Sequence, residues 1–316
     1  MAQARRPTFA LILVAALAAG LEARSETFRV AVPGATIVVT TGPEAPPVPR
    51  EALVAWIENA ARAITVVFGR FGVPEARLDL RTGGPGRIHG GHTDDLVPHV
   101  SVGLGSGTTP ADLSADWVLT HEFIHLATPT LRRRSAWFME GAATYLEPLA
   151  RARIGLFDVR ELWAGLIEGL PNGLPLAGDG GLDVTHTWGR TYWGGALFFL
   201  LADLEIRERS GGRRSLDDAF RGILAEGGDV RAGWMLEEAL AAGDLGVGEG
   251  LNVLSRLHAA QGRTAVAVDL EALFRRLGVS RVGGRMVFDD AAPLAAVRRA
   301  LTSGGREPAK PAAAAP

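Results

Sequence analysis

The chain of 316 residues contains no cysteine. That absence excludes disulfides, iron–sulfur clusters, thiolate nucleophiles and Cys-ligated zinc together, so any bound metal must be held by His and carboxylate. Lysine is almost missing as well: of 33 basic residues only Lys310 is lysine, which reads as a codon bias toward arginine and not as a special use of guanidinium. Neither charge sign dominates, since the 33 basic residues meet 35 acidic ones for a net charge of -2. The basic footprint that tracks a phosphate backbone is therefore absent, and nucleic acid is excluded as an expected partner. Beyond the first twenty or so residues, no segment approaches the roughly 20 apolar residues needed to span a bilayer. The 40 glycines and 18 prolines stay below the roughly 25–30% that marks a low-complexity chain. With 47% apolar residues, the chain can bury a substantial core.

The N-terminus departs from this pattern. Arg5 and Arg6 precede an apolar run over residues 9–19, about half a membrane span, and small residues follow it. This is the layout of a secretory signal peptide over residues 1–25, with cuts after Ala18, Ala23 or Ser25 all fitting the small-x-small rule. It predicts a secreted or periplasmic protein with no membrane span once the signal is cleaved.

Residues 27–32 and 35–41 alternate or are β-branched around Pro33-Gly34, which predicts a hairpin. A helical stripe over 51–71 follows, then strands at 78–81 and 97–104. From residue 111 onward helices are predicted at 112–127, 135–152, 158–168, 189–210, 215–226, 231–242, 248–260 and 268–277, with a strand at 285–288 and a last helix near 291–302. The pattern predicts an α+β fold over residues 26–305, with a strand-rich N-terminal lobe and a helical C-terminal lobe meeting near residue 110. The Ala/Pro tail, 306–316, is expected to be disordered.

Residues 121–125 read His121-Glu122-Phe123-Ile124-His125. The H-E-x-x-H pattern sets two imidazoles one helical turn apart on one face with a glutamate beside them, the geometry a zinc ion needs. Trp117 and Val118 share the helical face of His121, Ile124 and His125, so the histidines are expected to point inward. Metzincins require Gly and His three and six residues past the second His; Thr128 and Leu131 stand there and exclude that branch. A third ligand is then sought on the helix carrying Trp137-Phe138-Met139-Glu140-Gly141-Ala142-Ala143-Thr144-Tyr145. Glu140 is the choice, with Glu147 the other helix glutamate nearby.

W-x-x-E-G-x-A-x-Y after H-E-x-x-H resembles the gluzincin metallopeptidases, particularly the alanyl-type and glycyl aminopeptidase families. Tyr192-Trp193-Gly194-Gly195-Ala196 is similar to their Tyr-x-x-Gly-Ala segment, and Ser215-Leu216-Asp217-Asp218-Ala219 resembles a segment of the glycyl aminopeptidases. The likeness covers residues 117 to about 225. It implies a thermolysin-like zincin fold, Zn²⁺ held by His121, His125 and Glu140, Glu122 as general base, and Tyr192 as the donor that stabilises the tetrahedral intermediate. The substrate it implies is a peptide or protein. Two departures stand out. Fourteen residues separate His125 from Glu140, fewer than is common in those families. No glutamate lies between Glu75 and Glu122 to hold a free amine as in the exopeptidases, though Asp94 and Asp95 are available. Relatives that open epoxides, and an exported binding protein that keeps the fold without turnover, are the rival readings.

Several other residues invite attention. His89, His92, Asp94, Asp95 and His99 cluster in a Gly-rich stretch that reads as a solvated loop. Thr144 and Glu147 share the ligand face of Glu140 and are candidates for bonds to ligand groups, whereas Tyr145 leaves that face and is expected to pack. His186 and Arg190 are candidate substrate contacts, and Trp188 and Trp193 are expected as core or cleft wall.

Overall fold

The computed structural model describes residues 25–248 and 250–303. The expected signal peptide, apart from Ser25, and the expected tail at 306–316 lie outside them. No helix among the described residues is long and apolar enough to cross a membrane.

The chain opens with β1 (Thr27–Val32) and β2 (Ala35–Thr41), paired antiparallel as the hairpin expected. Helix α1 (Arg50–Phe68) then leads to β3 (Glu75–Thr82), β4 (Ile88–Thr93) and β5 (His99–Leu104). The five strands form one sheet in the order β1-β2-β3-β5-β4, with β2, β3 and β5 parallel and the two outer pairs antiparallel. One sheet face is apolar because the side chains alternate: Ile37, Val39, Ala76, Leu78, Leu80, Val100 and Val102 are all buried. They share a core with Leu53, Ile57 and Ile64 of α1.

Strand β4 was not expected. Its sequence, Ile-His-Gly-Gly-His-Thr, has no apolar alternation, yet it pairs with β5 through a register shift between His89 and His92. The pairing is carried by backbone groups, which a side-chain pattern does not report.

The helical part begins with α2 (Pro110–Ala115) and α3 (Val118–Leu126) where one continuous helix was expected. The break has a visible cause. The Asp116 carboxylate accepts the backbone N–H groups of Val118 and Leu119, both at 3.0 Å, and the Trp56 Nε1–H at 2.9 Å. A side chain that caps the next helix ends the one before it. After the short β6 (Thr130–Leu131) come α4 (Ala136–Arg153) and α5 (Val159–Gly169). A π-helical turn, Arg190–Gly194, runs into α6 (Gly195–Ser210), followed by α7 (Leu216–Ala225), β7 (Gly233–Trp234) and α8 (Leu236–Val247). Helices α9 (Val253–Gln261) and α10 (Leu270–Leu277), the hairpin of β8 (Val279–Val282) and β9 (Arg285–Phe288), and α11 (Ala295–Thr302) complete it. Residues 231–235, expected to begin a helix, instead hold β7, which pairs in parallel with β6.

Helices α4 and α6 touch backbone to backbone at Gly141 and Gly195. A Cβ at Gly141 would lie 2.4 Å from the Gly195 Cα, so neither position tolerates a side chain without the helices moving apart.

Candidate metal centre

The two histidines come from α3 and the third candidate ligand, a glutamate, from α4. Because α3 presents residues 121 and 125 one turn apart, both imidazoles face Glu140. His121 Nε2 stands 3.3 Å and His125 Nε2 3.6 Å from Glu140 Oε2, and one donor atom of each of the three residues lies within 4.8 Å of the others. Tetrahedral zinc with bonds of about 2.0–2.2 Å spaces its ligand atoms roughly 3.3–3.5 Å apart, so this donor set fits the ion. The group could hold a metal, and it is the one such cluster among the described residues. Glu147 is not part of it. That side chain is buried against Arg151 at 2.8 Å, and burial, with Asp116 adding to it against the opposing Arg151, pushes its carboxyl up to about 7.

The electrostatics of the cluster follow from proximity. Burial alone would raise the Glu140 carboxyl, but hydrogen bonds and charge from His121 and His125 hold it well below the usual carboxylate range. Burial works against the His125 imidazolium, yet Glu140, Glu122 and Asp95 raise it.

Glu122 and Tyr192 line the same cavity of about 210 Å³ as the three candidate ligands. Glu122 is buried, and its Oε2 accepts a hydrogen bond from Thr93 Oγ1 at 2.7 Å. Thr93 stands at the end of β4, so the unexpected strand orients this carboxylate. Gly91 on the same strand makes room for it: a Cβ there would meet Glu122 Oε1 at 2.6 Å and Val118 Cγ1 at 2.5 Å. Tyr192 sits in the π-helical turn, a local widening that recurs at functional sites. Its ring stacks on His121 at 6.4 Å between centroids. Burial, then the nearby Glu140 and Glu122 carboxylates, push its phenol up to about 12, so it stays a donor at neutral pH.

The remaining candidates separate. Tyr145 is fully buried and donates to Asp203 Oδ2 at 3.1 Å, a packing role as expected. Thr144 makes no hydrogen bond to the ligands. Arg190 is buried and donates to the Gly173 carbonyl, which takes it away from the cavity, and His186 is exposed outside it. The stretch expected as a solvated loop is the cavity's upper wall: Gly91, His92, Thr93, Asp94 and Asp95 all line it. Asp94 is bonded to His99 Nδ1 at 2.7 Å and paired with His92 at 3.3 Å. Asp95 is exposed and faces the cavity. Thr93 and Gly91 went unnoticed in the sequence, where only the concentration of polar and small residues marked them.

No protein-family model matches the chain, and no curated protein sequence matches it. Solved structures do. An aminopeptidase N family protein from Idiomarina loihiensis aligns over 81% of this chain and 49% of its own, with TM-score 0.61 and 14% identity. A variant of a two-domain M1 zinc metallopeptidase bound to L-arginine aligns over 77% of this chain and 52% of its own, with TM-score 0.50 and 17% identity. An M1 zinc metallopeptidase from Deinococcus radiodurans gives 76%, 52%, 0.48 and 17% for the same quantities. The chain thus spans about half the length of the structures it matches. At the level of fold, with its sheet N-terminal and its helices C-terminal, it is similar to zinc peptidases of the M1 type.

Proposed function

We propose that the chain is an exported zinc metallopeptidase of the gluzincin kind, acting on a peptide or protein. One observation carries the reading. Two histidines, a third-ligand carboxylate, a buried glutamate oriented by Thr93 and a tyrosine donor converge on one cavity, in a fold shared with zinc peptidases.

His121, His125 and Glu140 would hold the ion. Zinc bound there supplies Lewis-acid polarisation of the scissile carbonyl and a water acidified toward neutrality. Glu122 accepts the proton of the attacking water and passes it to the leaving amine. The Thr93 hydroxyl holds one carboxylate oxygen of Glu122, which leaves the other to receive that proton. Tyr192 donates a hydrogen bond to the carbonyl oxygen as negative charge develops on it. β4 is an edge strand, and strand addition at such an edge would give an extended peptide a partner along the cavity wall.

The test is cleavage of a mixed peptide library by zinc-loaded protein, with product termini read by mass spectrometry. Cleavage abolished by a chelator and restored by zinc is expected, and the new termini assign endo or exo action. Zinc-loaded protein that cuts no peptide overturns the reading. Opening of an epoxide substrate by the same protein would favour the hydrolase rival, and zinc binding without turnover of either would favour the silent binding protein.

A further inference from the structure

The chain has seven tryptophans. Five are buried or half-buried. The other two, Trp117 and Trp188, are 54% and 63% exposed, although an indole is among the largest apolar surfaces a protein can hide. Neither lines the cavity, but each ring meets a residue that does. The Trp117 ring meets His121 edge-on at 5.6 Å, and the Trp188 ring stacks on Tyr192 at 6.1 Å, while Tyr192 stacks on His121. Four rings are thus linked one to the next, and the two with open faces stand at either end of the run, on either side of His121 and Tyr192.

The backbone beneath each indole is held in place. Trp117 follows Asp116, whose carboxylate binds the next two backbone N–H groups and Trp56. Trp188 precedes Gly189, whose missing Cβ would lie 2.2 Å from the Asn172 carbonyl oxygen, and Thr187 accepts bonds from the N–H groups of residues 190 and 191. A backbone held in this way has little further freedom to lose when a ligand binds. The cavity itself is polar, since β4 lines it with Gly91, His92 and Thr93 and the two residues after the strand add Asp94 and Asp95. A peptide in the cavity meets these polar groups, and the exposed indole faces stand just outside it, each against a residue of the lining.

We propose that Trp117 and Trp188 select the substrate: they form an aromatic platform that receives bulky apolar or aromatic side chains of a peptide beside the bond to be cut. The proposal rests on the peptidase reading for its substrate, so its test needs a readout that does not require turnover.

Binding is measured by titration calorimetry on zinc-loaded Glu122→Gln protein, using two terminally blocked hexapeptides that differ only in carrying Phe or Ser on both sides of the central bond. The Phe peptide should bind at least about tenfold tighter, the ratio that each 1.4 kcal/mol or so of contact produces. Trp188→Ala or Trp117→Ala, added to Glu122→Gln, should remove most of that preference, and Trp188→Phe should keep it. Melting temperature should change little, because both side chains are more than half exposed, and zinc content is measured on each variant so that any loss of the ion is separated from loss of the preference. With Glu122 intact, the alanine variants should raise KM for the Phe peptide and leave kcat nearly as it was. Equal affinity for the two peptides, or a preference that survives both alanine substitutions, overturns the platform even if wild-type protein cuts peptides efficiently. A Phe preference that the alanine variants lose, in a protein that cuts nothing, supports the platform and removes the peptidase reading.

Discussion

Gly195→Ala places one methyl group at the crossing of α4 and α6. The new Cβ would stand 2.1 Å from the Trp137 carbonyl oxygen and 2.7 Å from the Gly141 Cα. Carbon needs roughly 3.3–3.6 Å to such an oxygen, so the helices must separate by about 1 Å. Overpacking of this kind costs typically about 1–3 kcal/mol. For a domain of this size that lowers the melting temperature by about 2–12 °C. The chemical consequence differs from the structural one. All three candidate metal ligands lie on α3 and α4, whereas Tyr192 lies just ahead of α6. Zinc content should therefore stay near one ion per chain while Tyr192 is displaced, and a misplacement of about 1 Å can cost about 100-fold in rate. The measurements are zinc by emission spectroscopy, melting by calorimetry, and kcat on a peptide identified from the library. A variant that melts and turns over within a factor of two of wild type would refute the tight crossing. Loss of zinc at unchanged melting temperature would refute the assignment of the ligands to α3 and α4.

His121→Ala and Glu140→Ala should each strip zinc under dialysis that leaves wild type loaded; full zinc and activity in Glu140→Ala would remove Glu140 from the ligand set. Glu122→Gln should keep zinc and lose nearly all turnover, since the amide preserves shape and cannot accept the proton, and normal hydrolysis by it would sink the mechanism. The Glu147 carboxyl, raised from its ordinary 4.5 to about 7 by burial, makes the folded state bind more protons than the unfolded state between those values. Its contribution to stability is therefore full below about 4.5, falls as pH rises to about 7, and is flat above. The melting-temperature difference between wild type and Glu147→Gln should drift across that window and level off beyond it, and a difference constant from pH 4 to 8 would contradict the buried placement. In intact cells the mature protein should lie outside the cytoplasm and be shorter by roughly 18–25 residues; a full-length cytoplasmic product would contradict export.

What the sequence made legible was whatever depends on local period or on residues close in the chain. The β1–β2 hairpin, the stripe of α1 and the inward face of α3 are written in alternation or in a 3.6-residue repeat, and each appears near its expected place, except that Trp117, expected on that inward face, is exposed. Glu140 could be chosen because its helix has a readable apolar face. Features set by distant partners were not legible. Asp116 breaks the helix before His121 partly by binding Trp56, sixty residues earlier. β4 exists through backbone pairing with β5, and its polar, glycine-rich sequence reads as a loop until that neighbour is in place. Arg190, chosen for its charge next to Tyr192, turns to a carbonyl of residue 173. The π-helical turn leaves no mark in an apolar stripe, because a single extra residue shifts the stripe's phase without removing it.

The short link between His125 and Glu140 explains how the ligands close without a longer loop. Residues 127–135 are held at several points. β6 pairs with β7, the Thr130 hydroxyl donates to the Val230 carbonyl at 2.8 Å, and the Val230 N–H donates to the Leu126 carbonyl at 3.3 Å. The Leu131 N–H also reaches the Met139 sulfur at 3.3 Å, on the turn of α4 that carries Glu140. A link tied to the segment before β7 has little freedom to lose when an ion is bound, and it holds Glu140 Oε2 at 3.3 and 3.6 Å from the two histidine nitrogens. The same segment supplies Thr128, Pro129 and Thr130 to the cavity lining, beside Val230 and Met139. The short connection therefore positions the third ligand and also forms part of the cavity lining, which couples the metal geometry to the space left for substrate.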